Sequence, residues 1–366
     1  MTSLKDDYTL LAPGPVNLHP EVRKTLALPM IHHRTPEFDK ILKSTLEGLK
    51  FIFQTTQDVY MLSCSGSGGM ECLLVNTLQA QDKVLCIVNG KFGERWAQMA
   101  QTFGAQVFTI VTPWGEPVEI EQIKTHFAQH PDTKLVLCQA IANPLEGIGS
   151  FLKTTKALFL VDGITAVGAY NIPMDLWGID GLVAGSQKAF MLPTGMAFVS
   201  FSQKAWERIE SNPTPRFYFD IRKEKEANKK GETYFSSNVS ITRALQVVLR
   251  LIEEKGLAQH FSEIHRRAEF TRMFVQKLGL PLYAKAPSDS VTAVLLPSHI
   301  DGQKVRQHLE DHFQLTVMGG QDQAKGKIIR VGHMGYILDQ DLKRFILRLA
   351  QTLQSFASQF ISDQKL

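Results

Sequence analysis

Through the first two-thirds of the chain, apolar residues gather into short runs that do not alternate with polar ones. These runs span residues 59–62, 84–88, 107–111, 135–138, 157–161, 182–184 and 197–201. Between them, apolar positions recur at helical spacing: Met70, Leu73, Leu74 and Leu78, then residues 92–103 and 120–130. Strands that are apolar at every position are buried on both faces. Set in turn with helices, they predict a mainly parallel sheet covered by helices, an α/β architecture. Upstream, residues 11–20 hold too much proline for a helix or a central strand and read as an extended arm. A helix is expected near Pro20, and Thr35 is placed to cap another that begins at Pro36. Downstream, helical patterns over 241–257 and 258–278 lead to strands at 291–297, 315–318 and 327–331, with helices over 303–313 and 339–360. This predicts a second, smaller α+β unit. The expected division is an arm over 1–18, a large unit over 19–250 and a small one over 251–366.

The ends of the predicted strands carry the residues with chemical potential. In open α/β sheets, ligands collect at the carboxyl ends of the strands. Residues 66–69, 89–92, 139–143, Asp162 and Gln187-Lys188 all fall just after strands. Lys188 is the sharpest of these, because a lysine beside a buried run is costly unless it is paired or chemically used. A desolvated lysine amine can form an imine with a carbonyl compound such as pyridoxal phosphate. The Ser65-Gly66-Ser67-Gly68-Gly69 turn between a strand and a helix could bind a phosphate on free N–H groups, or could be a plain glycine-rich turn. Asp162 could hold the pyridine nitrogen of that cofactor, or cap the segment that follows. Arg330 could clamp a carboxylate in two-pronged fashion, or form a salt bridge between units.

Composition narrows the classes. A net charge of +4 spread over 366 residues argues against nucleic acid as the main partner. No apolar run approaches the roughly 18 residues needed to cross a bilayer, and residues 1–7 lack the apolar core of a secretion signal. A cytoplasmic protein is expected, with no membrane partner. The four cysteines form no CxxC pair and read as buried free thiols. His32 and His33 lack further ligands at useful spacing, so no metal site is expected. The mixed charges of residues 216–230 predict a solvated helix and loop.

Several motifs in their order carry a resemblance over nearly the whole chain. They are Pro13-Gly14-Pro15, Ser65-Gly66-Ser67-Gly68 with Glu71, Asn89-Gly90-Lys91-Phe92-Gly93, Val161-Asp162, Gly185-Ser186-Gln187-Lys188 and Arg330-Val331-Gly332-His333-Met334-Gly335. The chain resembles the class V, fold type I pyridoxal-phosphate aminotransferases, close to the alanine–glyoxylate and serine–pyruvate group. The resemblance implies a seven-stranded sheet, and pyridoxal 5'-phosphate bound as an imine to Lys188 with Asp162 on its ring nitrogen. It implies that Ser67, Gly68, Gly69 and Gln187 hold the phosphate and that Phe92 stacks on the ring. Arg330 would bind the substrate carboxylate. Tyr234 and Ser237 would reach the phosphate of the neighbouring subunit, making a homodimer with shared sites. The implied reaction passes an amino group from a small amino acid such as alanine or serine to a 2-oxo acid such as glyoxylate or pyruvate, by a ping-pong route. The segment Gln139-Ala140-Ile141-Ala142-Asn143 departs from the pattern, leaving Ala142 or Asn143 where a hydroxyl is usual. Phosphoserine or aminoethylphosphonate substrates would need extra cations, with Arg34 and Arg95 unplaced. A lyase on the same fold and a non-enzymatic binding protein are the remaining alternatives.

Overall fold

The computed structural model describes residues 8–363, with side chains to residue 356; the stretch 1–7, read above for a secretion signal, lies outside the described residues. The chain begins with β1 (Thr9–Leu10), α1 (Pro20–Leu26), α2 (Pro36–Phe53), β2 (Val59–Leu62), α3 (Gly66–Thr77), β3 (Lys83–Val88) and α4 (Lys91–Thr102). It continues through β4 (Gln106–Val111), α5 (Ile120–Gln129), β5 (Leu135–Gln139), α6 (Leu145–Leu152), β6 (Leu158–Asp162), β7 (Gly181–Gly185) and β8 (Ala197–Phe201). Next come α7 (Gln203–Ser211), α8 (Ile221–Lys229), α9 (Val239–Lys255), α10 (Leu257–Lys277), β9 (Val291–Leu295) and α11 (Gly302–Phe313). The last elements are β10 (Leu315–Thr316), β11 (Met318–Gly319), β12 (Ile328–Gly332) and α12 (Asp339–Asp363).

A seven-stranded sheet runs in the order β2-β8-β7-β6-β5-β3-β4, as the resemblance implied. β8 pairs antiparallel with both of its neighbours, and the other pairings are parallel, so every strand except β8 points the same way. The unalternating strands have a simple cause. In β5, Val136 and Cys138 join one buried cluster while Leu135 and Leu137 join the cluster on the opposite face. With helices on both faces, a period of two places an apolar residue in a core at every position. A third cluster collects Leu11 with residues from Val275 onward, against the small sheet β11-β12-β9.

The caps behave as their side chains dictate. Thr35 Oγ1 accepts from the Phe38 N–H, with Pro36 in the first turn of α2. Three elements depart from the expected pattern. The strand anticipated at 315–318 is divided: β10 pairs with the arm strand β1, and β11 turns away to pair with β12. The loop after β5 contains α6, whose Leu145, Ile148 and Leu152 share one buried face behind Pro144. Residues 216–224 are less solvated than their charges suggested. The Arg216 and Asp220 side chains are almost wholly buried as an ion pair, and Glu224 is buried where it accepts from Asn228 and the Tyr234 N–H. Mutual pairing removes the desolvation penalty that would otherwise keep such charges at the surface.

One glycine tests this packing. A β-carbon on Gly149 of α6 would fall on the Trp177 carbonyl oxygen, backbone that cannot rotate away. Gly149→Ala is expected to cost about 2 kcal/mol or more, seen as a lowered midpoint of thermal unfolding. An unchanged midpoint would mean that α6 is free to shift outward.

Candidate active site

The common direction of β2, β7, β6, β5 and β3 delivers five segments to one rim. Lys188 lies in the turn after β7, largely but not wholly buried, with Nζ donating to the Pro13 carbonyl at 2.8 Å. The arm is held there by the small sheet: Leu11 N–H donates to Thr316 O, Gly332 N–H to Leu11 O, and Tyr336 N–H to Asn17 O. Gly14 takes φ +133°, and a β-carbon on it would collide with the end of the Lys188 side chain. Only glycine fits both the backbone and the space. The turn itself is fixed by Ser186, whose Oγ donates to Pro193 O at 2.6 Å and accepts from Met196 N–H at 3.2 Å.

Burial sets the charge states. Desolvation first, then the positive charge of Arg330, lowers Lys188 to about 8, while Asp162 acts in the opposite sense. Asp162 ends β6, 3% exposed, with Oδ1 accepting the Ile164 N–H at 2.9 Å. Burial raises its pKa to about 6, against the opposing effects of that N–H, Lys188 and Arg95. The capping alternative for Asp162 is thus partly real, but it closes a turn and leaves Oδ2 uncommitted. Arg330, in β12, donates from Nε to Gly319 O at 2.9 Å. Among the described residues it has no ion-pair partner, so the salt-bridge alternative has no counterpart in the structure, and burial lowers its pKa.

At the end of β2, α3 starts at Gly66 with Ser65 as its N-cap, and the Ser65 side chain makes no capping bond. The N–H groups of Gly66, Ser67 and Gly68 precede the first helical bond, which is made by Gly69 N–H to Ser65 O at 3.2 Å. Gly69 N–H is thus bonded within the helix, and the N–H groups left free in this turn are those of Gly66, Ser67 and Gly68. Gly69 is glycine for packing, since a β-carbon there would lie 2.6 Å from Val183 Cγ2. The helix start after an N-cap serine was the signal for this. Gln187 Oε1 is buried with no partner. Phe92, in the first turn of α4, has the Arg95 guanidinium 4.9 Å from its ring centre.

The segment after β5 is closed on itself. Asn143 Oδ1 accepts from Asn89 Nδ2 at 3.0 Å and from Val118 N–H at 3.2 Å, and its Nδ2 donates to Gln139 O at 2.9 Å. Asn143 is thus bonded at both ends of its amide within the loop, and Ala142 sits at φ +66°. Tyr234 and Ser237 line a pocket together with Ser63 and Tyr218. His32 and His33 stack on each other, and no metal-binding group of His, Cys, Asp or Glu occurs among the described residues. Sequence reading missed the Pro13 carbonyl, although Pro13-Gly14-Pro15 stood out, because a backbone acceptor leaves no side-chain signature.

The residues suit pyridoxal phosphate: a desolvated amine, a buried carboxylate and an unused turn of N–H donors. Comparison with known proteins agrees. Residues 19–345 match the family described as aminotransferase class-V. The chain is 35% identical to the soluble hydrogenase 42 kDa subunit of Anabaena cylindrica, over 96% of this chain and 94% of that one. It is 36% identical to the L-aspartate–glyoxylate aminotransferase of Paracoccus denitrificans, over 90% and 87%. The solved alanine–glyoxylate aminotransferase of Nostoc sp. superposes with a TM-score of 0.92 at 28% identity, over 96% of this chain and 97% of that one. The chain belongs to the class-V aminotransferases, enzymes that work with pyridoxal phosphate on a fold type I scaffold.

Proposed function

We propose that the protein transfers the amino group of a small amino acid, such as alanine, serine or aspartate, to glyoxylate or pyruvate in two half-reactions. The observation that carries this reading is Arg330, a half-buried guanidinium free of any carboxylate among the described residues, whose charge reaches Lys188. Such a group favours an α-carboxylate brought within range of the lysine. The first named donors and the acceptor rest on the names of the relatives. Phosphoserine-type substrates lose support, because Arg34 is engaged at the surface with Glu232 at 2.6 Å. A desulfurase-like lyase lacks a suitable thiol: burial pushes Cys64 up to about 12, and Cys72 and Cys138 upward too.

In this reading Lys188 would carry the cofactor on its amine and would move the proton at the substrate α-carbon. Burial makes it a usable base near neutral pH. Asp162 would hold the ring nitrogen, Gly66, Ser67, Gly68 and Gln187 would hold the phosphate, and Phe92 would stack on the ring. When bound, pyridoxal phosphate supplies an aldehyde carbon for the amine and a ring that withdraws electrons from the α-carbon. A homodimer supplies Tyr234 and Ser237 to each site from the neighbouring chain; the exposed Phe217, Tyr218 and Tyr234 give that contact an apolar surface. Two buried clusters on the faces of the large sheet and a third from Val275 onward, which takes in Leu11, support a large unit over 19–250 and a small one over 251–366 with the arm over 1–18 packed against it, and the free thiols suit the cytoplasm. Among the described residues, no helix is long and apolar enough to cross a membrane.

Purified protein should absorb near roughly 410–430 nm when its lysine carries the cofactor, and Lys188→Ala should lose that band. Alanine, serine and aspartate, added one at a time, should bleach it; if none does, transamination is wrong. In cofactor-free protein the amine of Lys188 is neutral only above its pKa. Its labelling by trinitrobenzenesulfonate, located by mass spectrometry, should rise through about 8 and not 10.5. Arg330→Gln should move that midpoint up and Asp162→Asn should move it down, from the signs of the two charges. Mixing inactive Lys188→Ala and Ser237→Asp chains after dissociation should restore about a quarter of the sites, if each site draws on two chains in a random dimer. No recovery would mean that each site is complete in one chain.

A further inference from the structure

Arg95 is the remaining cation of the rim, and the substrate reading gives it no task. It extends from α4, whose Gly93 packs against the backbone of Ile87 and Val88, so the helix sits close to the sheet. Its Nη1 donates to Ser67 Oγ at 2.8 Å, and its guanidinium lies over the Phe92 ring. Among the described residues no carboxylate pairs with it; the adjacent Glu94 faces Lys91 at 3.5 Å instead. Ser67 belongs to the first turn of α3, the positive end of that helix, where a cation is electrostatically unfavourable unless an anion accompanies it. Folding alone gives no reason for the arrangement.

The hydroxyl of Ser67 explains what the contact achieves. A serine hydroxyl has one proton and two lone pairs, and a guanidinium can only donate. Arg95 therefore takes a lone pair and leaves the Ser67 proton free for another acceptor. We propose that Arg95 is a positioning residue for the cofactor's phosphate: it commits Ser67 to act as a donor at the start of α3. The inference rests on the reading that this turn holds the phosphate. It adds a residue that acts through the others.

The test uses protein stripped of cofactor and titrated, by visible absorbance, with pyridoxal phosphate and with pyridoxal, which lacks the phosphate. Arg95→Met should raise the Kd for pyridoxal phosphate about tenfold or more, the range of a charge-assisted hydrogen bond, and change that for pyridoxal by less than about twofold. Ser67→Ala should behave alike. Since the two residues form one unit, the double variant should be no worse than about threefold beyond either single change. Three results would overturn the proposal: unchanged affinities in Arg95→Met, an equal loss for both aldehydes, or losses that multiply in the double variant. Equal affinity of the unaltered protein for the two aldehydes would instead remove the phosphate site itself.

Discussion

The site depends on one costly act: the sheet brings a lysine amine out of water and holds it there. Burial disfavours the charged form of an amine, and here it acts with the repulsion of Arg330 to bring Lys188 to about 8. The surroundings accept the amine with a single backbone oxygen, that of Pro13. A carboxylate in direct contact would have fixed the ammonium form and removed its reactivity. Asp162 raises the lysine's pKa without forming an ion pair with it, so the amine is stabilised but stays available for chemistry.

Around this amine the charges do not balance. Lys188 and Arg95 act on the carboxylate of Asp162, which is itself raised to about 6 by burial, while Arg330 acts on Lys188 and has no ion-pair partner among the described residues. A protein that folded for stability alone would pair or discard such groups. Their persistence makes sense as complementarity to anions that arrive with ligands, one a phosphate and one a carboxylate. The same logic separates Arg34, which already has Glu232, from the cations of the rim.

Much of this was legible in the sequence because it follows from strand burial. The strands of the large sheet announce themselves as apolar runs, and the reactive residues come directly after those runs, but β4, at the sheet edge, is largely exposed and not buried on both faces as its run suggested. What was not legible depends on hydrogen bonds that no spacing encodes. Gly69 reads like its neighbours until the first bond of α3 shows that its N–H is taken. Asn143 looks like a substitute ligand until both ends of its amide are seen tied to Asn89, Val118 and Gln139. The buried Arg216–Asp220 pair deceived for the opposite reason: charges were read as solvent-facing, when partners close in space had made burial tolerable.

The arm along the small sheet has a consequence for the order of assembly. Residues 9–17 are bonded to 314–316, 332 and 336, so the earliest part of the chain is seated on the latest. Closing a loop of that length is among the slowest kinds of contact a chain can make. On the ribosome, the large sheet can form while Pro13 still has nowhere to dock. The lysine receives its acceptor oxygen only after β10 and β12 have emerged. A nascent chain thus carries an unfinished amine pocket until the segments around 314–336 have been made.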